Sequence, residues 1–248
     1  MTRPSAEAVV PVLLALYQPA SAIDLGCGVG TWLDVLRRHG VQDVFGLEGD
    51  EVDADLLQIP PDRFRRADLS QPVRLDRTFD LAVTLEVAEH LPPASAEGFV
   101  ASLARLAPVV LFSAAIPGQG GVHHVNERWP QYWVSLFAGH GYVAIDAIRR
   151  PIWHMDQVKF WYRQNTLIFA RRGVLDEQPA LKQAYELTNQ DQLDLVHPTM
   201  LTWKVEESRR QVAKAQELYL GDVARRLPGL VGRSIASRWR RLFKSNHR

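Results

Sequence analysis

The stretch AIDLGCGVGTW places Gly26, Gly28 and Gly30 at alternate positions, with Asp24 two residues ahead of the first. A chain turning sharply from a parallel strand into a helix offers backbone N–H groups and a positive helix end to a ligand. Glycine is required there where φ is positive or where the ligand touches the backbone. Dinucleotide sites use G-x-G-x-x-G, with the pyrophosphate on the helix N-terminus. Here the third position of that pattern is Thr31 and the spacing is G-x-G-x-G, which argues against a dinucleotide.

Other groups able to do chemistry follow in order. Glu48 closes "DVFGLE", and a carboxylate there can accept both hydroxyls of a ribose; Asp50 is a weaker candidate. Asp68 ends an expected strand and Leu69 follows it, and Glu86, Glu89 and His90 lie in "LEVAEHLP". The stretch "GQGGVHHVNERW" gathers His123, His124, Asn126, Glu127 and Arg128 among turn-forming glycines. His90, His123 and His124 are candidate general bases, the adjacent pair ahead of His90. Glu86, Glu89 and His90 stand at i, i+3, i+4, a spacing open to a divalent ion. On a short helix after the fourth strand, Glu86 is instead expected at the cofactor and Glu89 as an orienting group, so no metal is predicted. Cys27, the one cysteine, reads as a small packing residue, and its solitude excludes an internal disulfide and suits a reducing cytoplasm.

These groups need a scaffold that delivers them to one edge. Strand candidates at 21–25, 43–48, 63–68, 79–85, 108–115, 142–148 and 165–172 alternate with helical stretches at 31–39, 95–106 and 129–139. That alternation predicts an α/β fold: a mostly parallel seven-stranded, Rossmann-like sheet, last strand antiparallel, helices on both faces. Residues 116–128 and 149–164 read as long binding loops. The N-terminal "AEAVVPVLLALYQPASA" imitates a secretory signal, but Glu7 and Pro11 interrupt it, and an amphipathic helix over a sheet edge is expected. The expected domains are 1–172 and a helical extension, 173–248.

The series Asp24-x-Gly26-x-Gly28-x-Gly30, Glu48, Asp68 and "LEVAEHLP" resembles the motif order of class I S-adenosylmethionine methyltransferases. The resemblance implies S-adenosylmethionine as cofactor, its aminocarboxypropyl arm over the glycine loop, and its adenine amino group at Asp68 and Leu69. Residues 1–172, through "SLARLAPVVLFSAAIPGQGGVHHVNERWPQYW" and "WYRQNTLIFARR", also resemble bacterial methyltransferases of polysaccharide and other sugar-containing pathways. The implied activity is O-methylation of a sugar-containing small molecule or glycan. N-methylation of an amino sugar is the alternative, and a non-catalytic cofactor-binding scaffold is a third reading.

Asn126, Arg128, Trp153 and Trp161 are the expected substrate contacts, since flat aromatic faces suit sugar rings. Trp129, Trp133, Leu136 and Phe137 share one helical face and read as core. Nucleic acid is not an expected partner: the position after the fourth strand reads "TLEV" rather than Asn/Asp-Pro-Pro-aromatic. The net charge is only +1, yet Arg225–Arg248 holds eight Lys/Arg and no acid. A helix over 233–244 would align Ile235, Trp239 and Leu242. It would serve either self-association or peripheral contact with an anionic membrane.

Overall fold

The computed structural model describes residues 2–50, 52–217 and 219. The basic stretch from Arg225, with its expected helix, lies outside them. The chain divides into two compact units, Met1–His197 and Pro198–Arg248.

In the first unit the elements run α1 (Arg3–Leu16), β1 (Ser21–Leu25), α2 (Thr31–Arg38), β2 (Asp43–Glu48), β3 (Phe64–Arg66) and β4 (Leu81–Leu85). They continue with α3 (Ala96–Leu106), β5 (Val109–Ser113), α4 (Pro130–Ala138), β6 (Tyr142–Ile145), α5 (Arg149–Ile152) and α6 (Phe160–Asn165). Last come β7 (Leu167–Arg171), α7 (Val174–Glu177) and α8 (Pro179–Glu186). The seven strands form one sheet in the order β3-β2-β1-β4-β5-β7-β6. β7 runs antiparallel to both β5 and β6, and the other pairs are parallel. This is the expected Rossmann-like architecture.

β4 and β5 are buried at every position because both sheet faces are covered. Leu81, Val83, Val109 and Leu111 point into one core; Ala82, Val110 and Phe112 point into the other. α1, α2 and the segments from α5 to α8 cover the first face, and α3 and α4 the second. α1 thus lies over a face rather than an edge: its Val9, Val10 and Leu13 join the core that holds β4 and β5. α4 starts at Pro130, so Trp133 and Phe137 are buried while Trp129 stays exposed.

Two sequence expectations change. Residues 149–164 are not one open loop; most of them fold into the short helices α5 and α6, which bury Ile152, Val158 and Tyr162. The first unit also reaches well beyond residue 172. α7 and α8 bury Leu175 and Leu181, and the Arg149 guanidinium donates to the carbonyl of Leu193 at 2.7 Å. In the second unit, a charged helix runs over 198–217. Among the described residues no helix is long and apolar enough to cross a membrane.

Candidate active site

All three loop glycines are left-handed, with φ of 85° at Gly26, 54° at Gly28 and 82° at Gly30. What crowds them differs. A Cβ on Gly26 would overlap the Val87 side chain, and one on Gly30 would lie 3.0 Å from Ile59. A Cβ on Gly28 would meet nothing within 4 Å, so Gly28 is the glycine whose outer side is open to a ligand. Cys27 packs beneath the loop, where its sulfur would stand 2.7 Å from a Cβ on Gly46, and burial pushes its thiol pKa up.

Asp24, next to last in β1, is 2% exposed, and its Oδ2 has no hydrogen-bond partner. Burial, reinforced by the Glu48 carboxylate, raises its pKa well above the usual range. A buried carboxyl without a partner is costly unless a cation arrives. Glu48, at the end of β2, accepts from the Gly28 N–H at 2.7 Å and the Gly49 N–H at 2.9 Å. The same carboxylate therefore fixes the glycine loop and borders the cavity beside it. Asp68 is exposed, and one of its oxygens accepts from the Ser70 N–H and hydroxyl, which lowers its pKa.

Two cavities meet at Gly26. The smaller, 160 Å³, is lined by Asp24, Gly28, Thr31, Trp32 and Tyr162. The larger, 620 Å³, is lined among others by Glu48, Asp68, Leu69, Glu86, His90 and His123.

At the far side of the larger cavity, β4 stops and Glu86 takes φ 57°, a conformation that non-glycine residues adopt only where surrounding contacts enforce it. Those contacts are present. Gln119 donates to one Glu86 oxygen at 2.7 Å and Asn165 to the other at 3.0 Å, while the Ser113 hydroxyl accepts from the Glu86 N–H. Asn165 and Gln164 both donate to the Gln119 carbonyl oxygen, so one buried amide network joins β4, the 116–128 loop and α6. Burial raises the Glu86 pKa against these hydrogen bonds.

Glu89 is fully buried, and neither of its carboxylate oxygens has a partner. Burial, then the neighbouring Glu86, push its pKa up to about 9. Residues 88–90 form a turn, not a helix. The Glu89 carbonyl accepts from the N–H groups of Val125 and Asn126, which pins the histidine loop against this turn. The His90 and His124 rings consequently meet edge to face at 4.8 Å. His124 Nδ1 lies 3.0 Å from Glu127 Oε1, and Glu127 also takes the N–H groups of Gly118 and Gly120 at 2.7 Å. Burial, with His124 adding to it, lowers the His90 pKa. His123 is exposed, has φ 61° and faces the larger cavity.

The expected substrate residues fare differently. Asn126 is 2% exposed and spends its amide on the Ala88 carbonyl and on Arg128. Arg128 lies over the Tyr132 ring at 5.1 Å. Trp153 packs on His197 at 4.5 Å, and Trp161 packs against Phe160 at 5.2 Å. None of the four lines the larger cavity, because α5 and α6 turn both tryptophans into packing contacts and the loop uses its own polar groups to hold shape. Gln119, Gln164 and Asn165 were missed in the sequence. Their signal was the polar pair in "YRQNTLIF", set directly before a buried strand.

An open glycine loop at a strand end, an unpartnered buried Asp24 and carboxylates closing β2 and following β3 define a class I S-adenosylmethionine-dependent methyltransferase. The family model for a methyltransferase domain matches residues 3–154, and the chain belongs to that family. No curated protein sequence matches the chain.

Several solved structures share the fold. One is magnesium protoporphyrin IX methyltransferase from Synechocystis with bound S-adenosylhomocysteine (19% identity, 68% of this chain and 83% of that one, TM-score 0.52). Another is a sugar N-methyltransferase from Streptoalloteichus (18% identity, 69% and 88%, TM-score 0.52). A third is an amino pentose methyltransferase from Micromonospora echinaspora (15% identity, 69% and 92%, TM-score 0.50).

The residues present fit S-adenosylmethionine, the cofactor of this enzyme class. The space above Gly28 would admit the arm, and Asp24 lacks the cation that an α-ammonium would supply.

Proposed function

We propose that this methyltransferase methylates a hydroxyl group of a small, sugar-containing molecule or glycan, with a histidine of the 116–128 loop as general base. The observation that carries this reading is that His123 shares one cavity with Glu48 and Asp68, the carboxylates expected at the cofactor. When bound, the cofactor supplies an electrophilic methyl group: the acceptor oxygen forms the new C–O bond as the C–S bond breaks and its electron pair stays on sulfur. An alcohol is too weak an acid to react readily with its proton in place, so a base must stand beside it. His123 takes that proton, as the loop histidine that lines this cavity. Glu48 holds the nucleoside end, the glycine loop carries the aminocarboxypropyl arm, and the buried amide network around Glu86 sets the cavity wall. The sugar class rests on the sequence resemblance of residues 1–172.

The test uses S-adenosylmethionine with a labelled methyl group and a panel of hydroxyl and amino sugars, free and nucleotide-linked. The expected result is label on oxygen, with His123→Ala lowering turnover by roughly 10²–10⁴-fold at unchanged S-adenosylhomocysteine affinity. Two of the similar structures are named for amino-sugar or sugar N-methylation, and that favours a second reading. A neutral amine needs little help from a base, so turnover surviving His123→Ala, His124→Ala and their combination would establish it.

A further inference from the structure

We propose that Glu89, His90 and His124 form a binding site for one divalent transition-metal cation, open to the cavity that holds the methyl acceptor. One ligand atom from each residue lies within 4.8 Å of the others. Around a zinc-like ion, with bonds of about 2.0–2.2 Å, such atoms stand roughly 3–4 Å apart. Small side-chain rotations close that difference. Glu89 supplies the independent sign of a ligand: it is fully buried, neither carboxylate oxygen has a hydrogen-bond partner, and one of them belongs to the cluster. A buried carboxylate is compensated by pairing with a cation or by coordinating a metal.

The surroundings are built for ligation. Glu127 accepts from Nδ1 of His124, which places the proton there and leaves a lone pair on Nε2. The two glycine N–H groups that bind Glu127 hold it in turn. The two loop N–H groups on the Glu89 carbonyl bring His124 to Glu89 from 35 residues along the chain. His90 stays exposed and lines the cavity, so the remaining coordination positions face the acceptor. Glu86 is not a fourth ligand in this arrangement, because both its oxygens are taken by Gln119 and Asn165. Two imidazoles and one carboxylate select zinc, manganese, iron or cobalt over magnesium and calcium, which demand oxygen ligands. Three protein ligands with open positions are the pattern of a catalytic rather than a structural site. The cation would hold the acceptor hydroxyl and make it more acidic, and this consequence, unlike the site itself, rests on the hydroxyl-methylation reading.

The experiment titrates Zn²⁺, Mn²⁺, Co²⁺ and Mg²⁺ into chelator-treated full-length protein by calorimetry, with Co²⁺ absorption as a second readout. One equivalent of Zn²⁺, Mn²⁺ or Co²⁺ is expected, with Mg²⁺ far weaker. Glu89→Gln, His90→Asn and His124→Ala should each abolish stoichiometric binding, and Glu127→Gln should weaken it about 10–100-fold. His39→Ala, at the exposed end of α2, should bind as wild type. S-adenosylhomocysteine affinity reports that each variant is folded, and His90→Asn covers the case in which the buried Glu89→Gln is not. Absence of stoichiometric binding, or binding unchanged in His90→Asn and His124→Ala, overturns the site. A protein that binds the cation but methylates only amines keeps the site and overturns the acceptor reading instead.

Discussion

The two ends of the cavity are made of different materials. At the cofactor end, backbone does most of the work. Seven residues from Asp24 to Gly30 make a turn with three left-handed glycines, and Glu48 closes it by accepting from the Gly28 N–H. At the acceptor end, side chains from three distant segments (86–90, 116–128 and 160–165) satisfy one another in a buried network. A site made of backbone is set by spacing and glycine chemistry over a short window. A site made of side chains needs the fold to bring its parts together.

That contrast can be broken at the glycines first, where the largest effect is expected. Gly26→Ala should cost stability, because it adds left-handed strain of about 1–2 kcal/mol to an overlap with Val87 of about 1–3 kcal/mol. Denaturant unfolding should show a loss of about 2–5 kcal/mol, partly restored by Val87→Ala. Gly28→Ala should lose only the strain of about 1–2 kcal/mol, yet bind S-adenosylhomocysteine at least about tenfold more weakly by calorimetry. Equal behaviour of the two variants would show that loop geometry, not ligand contact, explains both glycines.

The acceptor end has its own counterpart in Gly121. This residue lacks positive φ, but a Cβ there would overlap the His124 ring, the movable end of a side chain. Gly121→Ala should therefore fold normally, keep its cofactor affinity within about twofold, and lose turnover by about 10²-fold through misplacement of that ring. A parallel loss of cofactor affinity would mean that the two ends are not separable.

The same division explains what could be read in the sequence. The glycine loop, Glu48, Asp68 and the strand order were legible because each is a local pattern at a strand end. His90, His123 and His124 were legible as a group, since titratable residues after β4 and β5 fall at the carboxyl edge of the sheet. Their separate roles were not: only the pinning of Val125 and Asn126 to the Glu89 carbonyl sets His124 against His90 and leaves His123 in the cavity. Trp153 and Trp161 misled because 149–164 looked like an open loop. Helix α6 is only six residues long and carries no periodicity by which to find it.

Asp24 sharpens the comparison through pH. Its folded pKa is raised above the unfolded value, so folding favours the protonated form. Its contribution to stability is full below the unfolded pKa of about 4 and is lost as pH rises from there toward the folded value. The unliganded protein should thus lose stability as pH rises above about 4, and Asp24→Asn should flatten that slope in thermal unfolding. Pairing with an α-ammonium favours the ionised form, so S-adenosylhomocysteine should bind wild type more tightly as pH rises over the same range. In Asp24→Asn that trend should vanish and affinity should fall by roughly 1.5–3 kcal/mol, about 10–100-fold.

The smallest effect is expected at Asp68, although it belongs to the same cofactor end. Unlike Asp24 it is exposed, so water competes for whatever it binds and screens its charge. One of its oxygens is already committed to the Ser70 N–H and hydroxyl, which leaves a single oxygen for an adenine amino group. A neutral donor bound by a half-committed, solvated carboxylate contributes little, because water competes for both partners. Asp68→Ala should therefore weaken S-adenosylhomocysteine by no more than about tenfold, and Asp68→Asn by less, since the amide oxygen can still accept from Ser70. Ser70→Ala separates the two roles. It frees the carboxylate from the turn, so an affinity loss as large as that of Asp68→Ala would show that Asp68 acts by shaping the chain after β3. Unchanged affinity in Ser70→Ala beside a loss in Asp68→Ala would assign the carboxylate to the ligand itself.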